Sequence, residues 1–197
     1  MTSISLENIE RRAELKRKTA KPLLWIGIVS IIMFFSGWTS AVIVSKGGDG
    51  NWLDIQIPNA FAISTLIIVV SSIVYHIGFI SIKKDNKQAL KMYSLITLLL
   101  GVLFIYSQYL GWSELYSKGI VATGSSSTNA SSYLYLITFF HVLHLVAGVI
   151  SLIVVFIKSM KQKYSSSNYL GVEISLIYWH FLGVLWIYLF LFLKYIA

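Results

Sequence analysis

His141 and His144 stand three residues apart inside "TFFHVLHLVAGVISLIVVF", an apolar run that begins at Thr138 and is long enough to cross a bilayer. Imidazoles in such a place can ligate a haem or a metal, or can hold helices together. On one helix the two rings are separated by about 60° of rotation and about 4.5 Å of rise, so they cannot clamp the two faces of one haem iron. A pair drawn from two helices, such as His144 with His180, stays open on spacing alone. So does a zinc site built from three of the four histidines with Glu173, although no ligand spacing marks one. A di-iron bundle needs Glu-x-x-His motifs on two helices and two further glutamates, whereas the apolar stretches hold Glu173 as their one carboxylate.

Ionisable groups inside lipid are costly, and each is therefore a candidate for function. They are His76, His141, His144, Glu173 and His180, with Gln108 as an uncharged companion. The simpler account is structural. Polar side chains in membrane bundles hydrogen-bond between helices, at about 0.6 kcal/mol on average, and Gly148, Gly171 and Gly183 would let backbones approach. At about 1.5 Å per residue, His76 and Glu173 fall at similar depth, which predicts a buried pair between the second and fifth spans.

The elements that would carry these groups are read from hydropathy. The chain has 197 residues, 56% of them hydrophobic and 12% charged, against roughly 25% charged in soluble domains; mean hydropathy is +0.73. Five apolar stretches, at about 22–44, 58–82, 89–112, 132–157 and 169–195, reach the roughly 20 residues needed to span the hydrocarbon core. Each must be a helix to satisfy its own backbone there. The predicted architecture is all-α: a bundle of five transmembrane helices over 22–197, preceded by a basic arm at 1–21. The first span is expected to be retained, because its apolar core is too long for a cleaved signal.

The net charge of +8 comes from basic residues in short clusters between the spans, not from one face suited to nucleic acid. Six precede the first span, four lie between spans two and three, and three between spans four and five, while the other side holds Lys46, Lys118 and Lys194. Thirteen against three predicts a cytoplasmic N-terminus and an outside C-terminus. The absence of cysteine excludes disulfides and thiolate chemistry, and no phosphate loop, nucleophile elbow or internal repeat is present.

In the arm, Glu7 with Arg11 and Glu14 with Lys18 are acid-before-base pairs that support a surface helix. "SELYSKGIVATGSSSTNASS" reads as a mobile outer loop, and Asn129-Ala130-Ser131 fits a glycosylation sequon. Trp25, Trp52 and Trp112 read as interfacial anchors.

The motifs resemble those of the cytochrome c oxidase subunit III family, in its short five-helix bacterial form. The likeness is most specific in Phe140, His141, Leu143 and His144, and in Glu173 ahead of Trp179, His180 and Phe181, with Trp186 beyond. It extends to Ser71, Ser72 and His76, to Gln108, Trp112 and Gly119, and to Ser30, Met33, Phe34 and Phe35. Three positions depart from it: Ile31, Gly111 and Gly183 stand where family members often carry carboxylates. The resemblance implies a non-catalytic subunit that binds no haem or copper itself. It implies direct packing on oxidase subunit I, association with subunit II, phospholipids held in a cleft, and support of proton uptake and turnover in a bacterial cytoplasmic membrane. It also keeps two alternatives in view, an accessory protein of a nitric oxide reductase and an independent haem-binding or proton-conducting membrane protein.

Overall fold

The computed structural model describes residues 2–49, 52, 55–124 and 127–196, with side chains described from Glu14 onward except at 16 and 17. Five helices follow one another: α1 (Thr2–Gly48), α2 (Asn59–Lys83), α3 (Lys87–Ser117), α4 (Asn129–Met160) and α5 (Leu170–Ile196). Each is long and apolar enough to cross a membrane, with the span of α1 covering Lys18–Gly48. The arm and first span are thus one helix that runs through Pro22. Glu14 pairs with Lys18 at 2.8 Å, as the arm's charge pattern predicts; the side chains of Glu7 and Arg11 lie outside the described ones.

Local chemistry sets the helix ends. Asp85 takes a positive φ of 57° in the tight turn after α2, and the Asn86 side chain then accepts from Ala89 N at 3.0 Å to cap α3. Thr128 and Ser131 form a reciprocal capping box at the start of α4, satisfying two N–H groups that would otherwise be unpaired. The sequon therefore folds as the first turn of a helix, with Ser131 1% exposed. The preceding loop is held as well: Ser132 Oγ donates to Ala122 O at 2.7 Å and Tyr135 OH to Ile120 O at 2.9 Å. At the opposite end, which carries Lys83, Lys87 and Lys158 and is called the basic end below, Ser166 N donates to Asp85 Oδ1 at 2.9 Å and joins the two turns.

Helix contacts define a ring. α2 packs on α3, α3 on α4, α4 on α5 and α5 back on α2, while the diagonals α2 with α4 and α3 with α5 do not approach to 8 Å between Cα atoms. Among the described residues, α1 lies outside this ring and touches α4 and α5 alone of the helices. The interior of the ring must be filled by side chains long enough to cross it, and two indoles from α5 do so.

Candidate functional site

Trp179 and Trp186 are fully buried, and because they are seven residues apart they share one face of α5. The outer edge of the Trp179 ring lies over Gly101 of α3, and its inner edge over Gly148 of α4. Any side chain at Gly101 would meet it, since a Cβ there would sit 2.8 Å from Cη2. Its Nε1 donates to Ser71 Oγ of α2 at 3.0 Å. Trp186 contacts Phe61 of α2, Phe104 of α3 and His141 of α4, with ring centroids 5.8, 5.3 and 5.0 Å away, and its Nε1 donates to Thr65 Oγ1 at 2.9 Å. Each indole therefore joins α5 to all three other helices of the ring.

Trp112 repeats the device on α3. Sequence reasoning places it at the membrane interface, but it is half-buried and donates to Thr138 Oγ1 of α4 at 3.0 Å. Trp25 is 56% exposed, as an anchor would be. One turn before Trp112, Gln108 is buried and donates to Ser64 Oγ of α2 at 2.8 Å. Seams 2–5, 3–4 and 2–3 of the ring are thus each fixed by a hydroxyl accepting from a planar N–H donor. Such bonds are worth more in placement than in energy, at about 0.6 kcal/mol each on average.

The histidines divide. His141 is fully buried, and among the described residues neither ring nitrogen has a hydrogen-bond partner; its contacts are with the rings of Trp186, Phe104 and Phe35. His144 Nδ1 donates to Phe140 O of its own helix at 2.7 Å, and the ring turns toward Phe35 of α1, 5.6 Å between centroids. α1 therefore seats Phe34 and Phe35 against the histidine-bearing face of α4 by ring contact. The Tyr178 hydroxyl of α5 donates to His144 O of α4 at 3.2 Å, and Ser45 of α1 is hydrogen-bonded to Tyr133 of α4 at 3.0 Å. The two-helix pair His144 with His180 does not form, because His180 faces α2.

The expected His76–Glu173 pair does not form either. Glu173 is bonded to Lys21 of α1 at 2.7 Å, and His76 meets His180, with 3.4 Å between His180 Nε2 and His76 Nδ1. The reason is height: His76 stands level with His180, about 10 Å along α5 from Glu173, while α1 continues unbroken into the arm and brings the Lys21 ammonium to the carboxylate in the first turn of α5. Among the described residues no three His, Cys, Asp or Glu side chains converge as a metal site would require.

The three positions that depart from the family motifs have packing reasons. Gly111 is covered by the ring of Phe61, which would collide with any side chain there. Gly183 opens on Ser72. Ile31 packs against the apolar cluster of Phe35, Ile137, Leu185 and Leu189 that seats α1.

Comparison with known proteins decides the family. The model for cytochrome c oxidase subunit III matches residues 28–197. The chain belongs to the cytochrome c oxidase subunit III family. It is 29% identical over 174 residues to cytochrome c oxidase subunit 3 of Thermostichus vulcanus, covering 85% of this chain and 82% of that one. It is also 29% identical over 167 residues to the Corynebacterium diphtheriae protein of that name, covering 81% and 80%. A probable cytochrome c oxidase subunit 3 of Nocardia farcinica is 28% identical over 173 residues, covering 85% and 82%. The match spans all five helices, so the subunit III fold here is the ring with α1 on its outside. The protein is a multi-pass membrane subunit of an oxidase complex.

Proposed function

We propose that this chain is the non-catalytic subunit III of a haem-copper terminal oxidase in a bacterial cytoplasmic membrane. It packs directly on subunit I, in a complex that also contains subunit II, and it stabilises subunit I in its working form. Haem and copper belong to those companions. The chain itself contributes shape, phospholipid binding and support for proton uptake and turnover. The observation that carries this reading is the subunit III match over nearly the whole bundle, joined to a ring interior that large indoles occupy. His76, His141, His144, Glu173 and His180 then act as structural groups between helices, with Trp179 and Trp186 as the members that cross the ring and Trp112 as a link between α3 and α4. The N-terminus and the basic end face the cytoplasm, supported by the thirteen-to-three distribution of Lys and Arg and the positive-inside rule. Residues 1–21 form the basic arm on that face.

Purification of the tagged chain from native membranes tests the reading. Haem-copper oxidase subunits I and II should co-purify, identified by mass, with the oxidase haem spectrum. Deleting the gene should shorten the working life of the oxidase more than it lowers initial turnover. Co-purification with a nitric oxide reductase, or a Soret band from the isolated chain, would overturn the assignment.

A further inference from the structure

The outward face of α1 is made of residues that lipid tolerates, including Leu23, Ile26, Val29 and Met33, all more than half exposed. The α2–α5 seam differs. A groove of about 440 Å³ runs along it, lined by Ser72, Ile73 and His76 of α2 and His180, Gly183 and Val184 of α5. His76 is exposed and His180 partly so. The facing nitrogens are 3.4 Å apart, while His76 Nε2 and His180 Nδ1 have no hydrogen bond among the described residues. Both rings lie well inside the apolar spans, His76 seven residues before the end of α2 and His180 ten after the start of α5.

Polar side chains at that depth almost always face protein or a water-filled cavity, not acyl chains. The histidine pair has two unmet nitrogens and a groove above it, floored by Ser72 and Gly183, which meet each other where α2 and α5 come close. Val69, Ile73 and Ile77 follow each other every four residues on one wall, and His180, Val184 and Ile187 at four and three on the other. Those spacings are the ridges into which a further helix packs.

Resting on the proposed role as an oxidase subunit, we infer that the α2–α5 face, and not the outer face of α1, is where a transmembrane helix of a companion oxidase subunit docks. That helix presents a hydroxyl, amide or carboxyl group to the His76–His180 pair.

A photo-crosslinking residue tests the inference in the complex purified from native membranes. With p-benzoylphenylalanine at position 73, irradiation should yield an adduct whose peptides map to a transmembrane segment of a co-purified oxidase subunit. The same group at position 26 on α1 should give lipid adducts. In parallel, the double variant H76L/H180L should lower the share of the chain retained on the oxidase through purification by about half or more, while the variant chain keeps its helical content. A lipid or quinone adduct at position 73 in a complex that still contains the oxidase overturns the docking face and leaves the subunit assignment standing. Absence of any oxidase from the preparation overturns the assignment and the docking face with it.

Discussion

If Trp179 is the spacer that holds α5 across the ring from α3, then adding one methyl group at Gly101 should destabilise the bundle through that indole and through nothing else. A Cβ at Gly101 would lie 2.8 Å from Cη2 and 3.3 Å from Cζ2 of Trp179, against the roughly 3.5–4.0 Å at which carbon atoms rest. The indole is also held on its other sides. Its opposite edge, Cε3 and Cζ3, sits 3.3 Å from where a Cβ on Gly148 would stand, and its Nε1 is tied to Ser71 at 3.0 Å. Overpacking a rigid core costs about 1–3 kcal/mol, and Gly101→Ala should fall near the middle of that range. Trp179→Phe removes the outer ring edge, so in that background Gly101→Ala should cost less than about 0.5 kcal/mol, a coupling on the order of 1.5 kcal/mol. The four proteins can be compared by titrating dodecyl sulfate into detergent micelles and following helical circular dichroism. Equal costs for Gly101→Ala in both backgrounds would refute the claim that Trp179 sets the ring width.

Three further outcomes follow from the same geometry. Lys21→Met should change stability by less than about 1 kcal/mol in that titration, because the Lys21 and Glu173 side chains remain 45% and 24% exposed and screened pairs contribute little; a loss of several kcal/mol would make the clasp a main support of α1. Restoring the family's common carboxylate with Gly111→Glu should abolish a monodisperse gel-filtration peak, because Phe61 covers that position, and adding Phe61→Ala should recover it. Tyr164, in the turn between α4 and α5, has its pKa raised by burial. Its contribution to stability is complete below the ordinary tyrosine value and is lost as pH climbs through the higher folded one. The phenolate absorbance difference between wild type and Tyr164→Phe should therefore appear later than for a free tyrosine, and an ordinary or early transition would contradict the burial.

The five spans, the all-helical class and the family were legible because long apolar runs and fixed motif spacings are one-dimensional signals. Which groups pair was not. Glu173 and His180, seven residues apart, share a face of α5 but differ by about 10 Å in height; His76 stands level with His180, so counting residues misjudged the depth, and the continuation of α1 through Pro22 brings Lys21 to Glu173. The role of Trp112 was hidden for a related reason, since an indole near a span end looks the same in sequence whether it faces headgroups or a threonine on the next helix. Ser71, Thr65 and Thr138, the acceptors that fix the three indoles, carry little signal by themselves. A tryptophan spaced seven from another within an apolar span is the hint that could have directed attention to them.

Helix phase then explains why neighbouring polar residues serve different ends. Trp179 points into the ring, and a step of about 100° per residue necessarily turns His180 off that face toward the outer edge of α2, where His76 waits. His141 and His144 are about 60° apart, which leaves one inside among the rings of α3 and α5 and delivers the other to α1. The buried histidine meets an aromatic cage and the outward ones meet each other. Ligation of a single ion by all four would require three helices to rotate, and each rotation would withdraw an indole from its hydroxyl. The side chains that close the ring are therefore the ones that keep the four imidazoles from converging, so weakening an indole bond across the α2–α5 seam, as Ser71→Ala would, should loosen the His76–His180 spacing on that seam before it alters the contacts of α1 with α4.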